Sequence, residues 1–170
     1  MTDGHVTLRA VQPNDYAVID AGQRDPDVQR WIGTPWPVHE LPARLERLAA
    51  EGSPTFAICE SGPGLLGLVW LNKSIDGGAT RSVGYWLLPE ARGRGVATAA
   101  VRLISRWAVE ELGTARLLLR TAPDNERSKR LAERAGFRRV NVPDTVDVVF
   151  ELEAEQGNRA RRNVRVRGIK

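Results

Sequence analysis

The sequence predicts an α+β fold in which one mixed, mostly antiparallel central sheet is flanked by helices. Three observations carry this expectation. Strand-like apolar runs, separated by tight turn clusters, follow one another between Thr55 and Leu88. An amphipathic helix, an apolar strand and a further helix then alternate between Gly95 and Gly136. The length of 170 residues, with 42% hydrophobic and 27% charged residues, suits one domain with a real core.

His5 to Ala10 alternates like a strand, and Gln12-Pro13-Asn14-Asp15 offers a turn and a helix cap. A helix follows through Tyr16, Val18 and Ile19, and a short one over Asp25 to Trp31. Gly33-Thr34-Pro35-Trp36-Pro37 breaks it, because proline lacks the donor that regular pairing needs. Leu41 to Ala50 is helical again, with Leu41, Leu45 and Leu48 on one face. Strands are expected at Thr55 to Cys59, Leu65 to Asn72 and Arg81 to Leu88. The turns at Ser61 to Gly64 and Asp76 to Gly78 make them an antiparallel meander. A helix runs from about Gly95 to Leu112, closed by Gly113. Leu117-Leu118-Leu119 marks a strand buried on both faces. Asp124 can cap a helix ending at Gly136, and strands near Phe137 to Val140 and Val146 to Leu152 finish the body. Residues 1–153 thus read as one domain, followed by a basic tail over 154–170.

Composition excludes several classes. No apolar run is long enough to span a bilayer, and Met1 to His5 lacks the basic and apolar regions of a signal peptide. The single cysteine, Cys59, cannot form an internal disulfide, and these facts together predict a cytoplasmic protein with no membrane partner. Cys59 lies in a strand and reads as a small buried hydrophobe rather than a nucleophile. His5 and His39 are the only histidines, so no metal is expected. The net charge of +4 is uneven: residues 154–170 carry +5 and the remainder −1. Charge therefore does not support nucleic-acid binding by the body. The tail is either a solvated end or a contact for an acidic partner or nucleic acid.

The most informative run is Tyr85 to Ala97. A strand enters a glycine-rich turn flanked by arginines, and the turn opens into a helix. The first N–H groups of a helix lack partners within it, and the helix dipole adds positive charge there, so the junction favours an anion such as pyrophosphate. Gly93 and Gly95 let the backbone approach closely, and Arg92 and Arg94 could add charge-assisted hydrogen bonds. A dinucleotide fingerprint is excluded because Thr98 stands where the third glycine belongs. A P-loop is excluded because Val96 and Ala97 follow Gly95 in place of Lys and Ser or Thr. The alternative is a loop that needs two glycines only to turn.

Arg92 to Ala97 reads R-x-x-G-x-A. This resembles the acyl-CoA pyrophosphate loop of the GNAT superfamily of N-acetyltransferases, written Q/R-x-x-G-x-G/A, and the element order is similar over residues 5–152. Asp124 to Phe137 is the second motif, with Asn125 and Ser128 on one helix face and Leu131 and Ala135 toward the core. It resembles the N-x-x-S…G-F segment of RimJ/RimL-type acetyltransferases, which act on ribosomal-protein N-termini and related amines.

The resemblance implies the following roles. Trp86, Leu87 and Leu88 would offer backbone groups to pantetheine. Arg92, Gly93, Arg94, Gly95, Val96, Ala97 and Thr98 would hold the pyrophosphate of acetyl-CoA. Asn125 would hydrogen-bond the pantetheine arm, or else simply start its helix. A neutral amine would attack the thioester directly in a ternary complex, a Leu87 N–H would receive the oxyanion, and Ser128 would protonate or position the leaving thiolate. The competing reading of Ser128 is an exposed helix serine.

Two departures matter. Many GNAT enzymes have a tyrosine acid seven residues after the helix asparagine; here that residue is Ala132. Relatives in the RimJ/RimL branch often carry a glutamate two residues before the Gly-Tyr pair; here that residue is Ser82. His39 and Glu40 are the substitute candidates for a base, against the reading of a solvated loop. Trp31, Trp36 and Tyr85 are candidates for the acceptor pocket, against core or dimer contacts. The expected function is acetyl transfer to an N-terminal or small-molecule primary amine. The alternative is an acyl-CoA-binding sensor or partner subunit, and a homodimer paired through an exposed final strand is compatible with either.

Overall fold

The computed structural model describes residues 1–60, 62, 64–73 and 79–154. The expected turns at 61–64 and 76–78 fall wholly or partly outside these residues, as does nearly all of the basic tail. The chain order is β1 (Thr7–Ala10), α1 (Tyr16–Gln23), α2 (Pro26–Ile32), α3 (Leu41–Ala50), β2 (Thr55–Cys59), β3 (Leu65–Asn72), β4 (Thr80–Leu87), α4 (Val96–Leu112), β5 (Arg116–Thr121), α5 (Glu126–Arg134), β6 (Arg138–Val140) and β7 (Val148–Glu153). The strands form one seven-stranded sheet in the order β1-β2-β3-β4-β5-β7-β6. All neighbours are antiparallel except β4 and β5.

The final strand is not exposed. β7 lies between β5 and β6, and short β6 forms the edge. The expectation of pairing subunits through the last strand is corrected on this point. β6 leaves and β7 returns inside it, so that β7 can pair with the apolar strand β5 along Arg116 to Thr121.

The two sheet faces carry separate cores. On one, α4 and α5 bury Val96, Ala100, Ile104, Leu131 and Ala132 against Val69, Val83, Leu87, Leu117 and Leu119. On the other, Ile19, Val28 and Leu41 from the early helices cover Leu68 and Trp86. Side chains alternate along β4, so Val83, Tyr85 and Leu87 face α4 and α5 while Trp86 faces α1 and α2. Gly22 admits the Trp86 ring: a Cβ there would lie 2.6 Å from two ring carbons. Gly84 does the same for Trp70, where a Cβ would lie 2.3 Å from the indole. Cys59 is 1% exposed and burial pushes its thiol pKa up, as a core residue rather than a nucleophile would show.

The chain entering α1 is held by a buried ion pair. Arg9 donates to both carboxylate oxygens of Asp15 at 2.6 and 2.8 Å, and the Gln12 N–H donates to the same carboxylate at 2.7 Å. The Arg9 guanidinium holds the Asp15 carboxyl below its usual range, against burial, which acts the other way. A depressed folded pKa gives stability that is complete above the unfolded value of ~3.9 and is lost as pH falls through the folded value. Asp15→Asn is expected to lower unfolding free energy at neutral pH by about 1.5–3 kcal/mol and to flatten the acid limb below pH ~4. Urea denaturation across pH checks this; an unchanged acid limb would contradict it.

Candidate functional site

The site begins where two strands part. β4 pairs with β5 only at Thr80–Arg116, Arg81–Leu117 and Ser82–Leu118. Beyond these, β4 continues to Leu87 and β5 to Thr121 without pairing to each other. The Leu88 N–H donates to the Leu66 carbonyl at 2.8 Å. In an antiparallel ladder alternate residues bond a given neighbour, so Gly84, Trp86 and Leu88 direct their backbone groups to β3. The other set points toward β5, as shown by the Arg116 N–H donating to the Ala79 carbonyl at 3.0 Å. Tyr85 and Leu87 belong to that set, and beside them β5 has already turned away. Their peptide groups therefore face the gap. Trp86 and Leu88, expected to offer backbone groups to a ligand, are turned to the sheet instead.

The loop at the end of β4 is open on one side. After a single 3-10 turn at Pro89–Ala91, Gly93 and Gly95 adopt φ of 76° and 81°. A side chain is strained at such angles. A Cβ built at either glycine meets nothing within 4 Å, so the space beside the loop is open. Gly95 is the N-cap of α4 and no side chain caps that helix. α2 is capped by Asp25 and α5 by Asn125, while α1 and α3, which continue from 3-10 turns, also lack a side-chain cap. Val96 and Ala97 bury their side chains at 0% and 8% exposure, which anchors the first turn. Together with half-buried Thr98 they are the residues whose N–H groups a helix leaves unbonded.

The arginines beside the loop are committed to protein partners. Arg92 donates from Nε and Nη2 to the Leu87 carbonyl at 3.2 and 3.1 Å. The same guanidinium pairs with Asp25 at 2.5 Å and Asp27 at 3.1 Å. It satisfies the carbonyl that the parting of β4 and β5 leaves without a strand partner, and it ties that strand end to the start of α2. The Arg92 contact holds the Asp25 carboxyl below its usual range. Arg94 pairs with Glu60. The sequence reading places both side chains at the anion; in the structure they hold Leu87, Asp25, Asp27 and Glu60. Asp25 and Asp27 are partners that the sequence does not reveal, because nothing local links them to a residue 67 and 65 positions away.

On α5, Asn125 Oδ1 accepts from the Ser128 N–H at 3.1 Å, so Asn125 and not Asp124 caps the helix. Asp124 pairs instead with Arg30 of α2 at 2.8 Å. Ser128 is 7% exposed, which corrects the reading of an exposed helix serine. Tyr85 Oη donates to Ser128 Oγ at 3.1 Å, joining β4 to α5 across the gap. Burial pushes the Tyr85 pKa up, opposed by the Ser128 hydrogen bond. Ala132 is wholly buried.

The remaining candidates lie elsewhere. His39 and Glu40 sit on a 3-10 turn at Val38–Glu40, with the His39 side chain 80% exposed and 3.8 Å from Glu40. Trp36 lies under the Arg44 guanidinium at 4.0 Å, and the Trp36 backbone N–H donates to Gln23 Oε1 at 2.9 Å. Trp31 lies under Arg30 at 4.5 Å. Trp36 packs on the core of the early helices, whereas Tyr85 packs on the opposite face. The structure does not bring Trp36 and Tyr85 into one pocket.

The pattern for an acetyltransferase (GNAT) domain matches residues 5–138. The chain belongs to the GNAT acetyltransferase family. It is 36% identical over 73 residues to the Bacillus subtilis protein named "Putative ribosomal N-acetyltransferase YdaF", a match covering 43% of this chain and 40% of that protein. It is 32% identical over 126 residues to the B. subtilis protein named "Probable N-acetyltransferase YjcK", covering 73% of this chain and 60% of the relative. The chain thus matches about half the length of these relatives. Among solved structures, the aminoglycoside acetyltransferase AAC(6')-Ib in complex with coenzyme A superposes with a TM-score of 0.75 at 20% identity, covering 92% of this chain and 99% of that one. This GNAT domain therefore has the fold of its family, with a seven-stranded mixed sheet and helices α1 to α5 on its faces.

Arg92→Gln is expected to lower unfolding free energy by roughly 1–3 kcal/mol, because it frees a strand-end carbonyl and two carboxylates at once. Urea denaturation reads this directly, and unchanged stability would show that the clasp does not hold the loop.

Proposed function

We propose that this protein transfers an acetyl group from acetyl-CoA to a primary amine, by direct attack within a ternary complex. The observation that carries the reading is the uncapped start of α4, with its two left-handed glycines, at the mouth of the β4–β5 gap. Backbone N–H groups from the loop and α4 would receive the pyrophosphate, and the gap would receive the pantetheine arm. Asn125 uses its carbonyl oxygen as the helix cap, which leaves its amide N–H groups for that arm.

In the reaction, the amine nitrogen bonds to the thioester carbon and the C–S electron pair leaves on sulphur. The Leu87 N–H is the donor proposed for the oxyanion, and the Ser128 hydroxyl the donor proposed for the sulphur. A buried serine hydroxyl in a low-dielectric setting suits stabilisation of the thiolate more than full proton transfer, because it is a weak acid. No covalent enzyme intermediate is needed, which agrees with the inert environment of Cys59. One relative's name points to ribosomal proteins and one structural neighbour's to aminoglycosides, and both classes present primary amines. Acetyl-CoA binding without efficient turnover is the second reading. It is favoured by Ser82, which accepts a hydrogen bond from Asn72 at 3.1 Å where a carboxylate base would stand in relatives.

Calorimetric titration with acetyl-CoA tests the site. Wild type is expected to bind in the micromolar range. Gly95→Glu, which strains a positive φ and places a carboxylate at a helix start facing phosphate, should weaken binding by more than ~tenfold. Equal affinities would remove the loop from the site. Turnover with N-terminal peptides or aminoglycosides decides between transfer and binding alone.

A further inference from the structure

We propose that Tyr85 is a positioning residue for Ser128: its phenol occupies one lone pair of Ser128 Oγ and so directs the serine's own hydrogen toward the sulphur in the β4–β5 gap. This rests on the acetyl-transfer reading above. A serine hydroxyl has one hydrogen and two acceptor positions, and it rotates freely unless neighbours fix it. Here the neighbours come from both lips of the gap. Tyr85 stands on β4, at a position whose peptide faces the gap, and donates to Oγ at 3.1 Å. Asn125 holds the Ser128 backbone N–H at 3.1 Å, which fixes the first turn of α5. Ser128 itself is 7% exposed, so bulk water competes little for its lone pairs.

The step balances without a proton leaving Tyr85. The C–N bond forms as the C–S bond breaks. The amine gives up one proton and the departing thiolate takes up one, so an amide and a neutral thiol result. Ser128 donates a hydrogen bond to sulphur as charge develops there, and Tyr85 keeps Oγ turned so that it can. Burial pushes the Tyr85 pKa up. The phenol therefore keeps the hydrogen that it donates to Ser128.

A double-mutant cycle of Tyr85→Phe and Ser128→Ala tests this, with kcat, the KM for acetyl-CoA and the calorimetric Kd measured for all four proteins. The assay uses whichever N-terminal peptide or aminoglycoside wild type acetylates fastest. Tyr85→Phe removes one oxygen and keeps the packed ring. It is expected to lower kcat by about three- to tenfold and to leave KM and Kd within about twofold. In the Ser128→Ala background it should change nothing further, because its target is gone. Melting curves report whether each variant remains folded. An unchanged kcat in Tyr85→Phe, or the same loss in both backgrounds, overturns the role of the tyrosine and leaves the transfer reading intact. A wild type that binds acetyl-CoA and acetylates no amine overturns the transfer reading, and this one with it.

Discussion

The separation of β4 from β5 after three paired positions is the constraint on which the rest depends. Sheet strands that part inside a protein leave peptide groups without partners, and buried peptide groups without partners are costly. The protein meets this in two ways. The Leu87 carbonyl is taken by the Arg92 guanidinium, which is itself neutralised by Asp25 and Asp27. The Leu87 N–H and the Tyr85 peptide are left facing the gap, where a ligand with its own amides can pair with them as an added strand would. A gap of this kind presents the sheet's own hydrogen-bonding groups to whatever enters it.

The two faces of the sheet divide the work. α4 and α5 cover one face and bring the glycine loop and Ser128 to Tyr85 of β4. The early helices cover the other and place Trp86 under Gly22. The faces are joined at the gap by side chains that reach from one to the other: Arg92 to Asp25, and Arg30 to Asp124. These contacts tie the early helices to the strand end and to the start of α5. A single hydrogen-bonding guanidinium at the end of β4 has a structural role that its place in a phosphate-loop motif conceals.

Much of this was legible in the sequence. Element order, the meander and the glycine loop follow from local patterns, because alternation, helical spacing and turn residues act over a few positions. The Asn125–Ser128 pairing on α5 was legible for the same reason. What was not legible is non-local. Which alternate set of β4 residues bonds β3, and so whether Trp86 or Leu87 faces the gap, depends on register with another strand. The partner of Arg92 lies in α2, far away in sequence, and a basic side chain beside a glycine loop looks equally fit for phosphate. Asp124 and Asn125 are both good caps, and only the Arg30 contact explains why the asparagine takes that place. The inner position of β7 agrees with its buried Val149 and Phe150, set beside the exposed Arg138 and Arg139 of edge strand β6, but its pairing with β5 is non-local.

The most direct test of the account is amide hydrogen exchange along β4 by NMR, with and without coenzyme A. The register assigns the Leu87 and Tyr85 amides to the gap and the Trp86 and Leu88 amides to β3. Coenzyme A should therefore slow exchange and shift the resonances at Leu87, with a smaller effect at Tyr85, while Trp86 and Leu88 are already protected and change little. Protection gained at Trp86 and Leu88, or no change along β4 at saturating coenzyme A, would contradict the claim that the parted strands form the site.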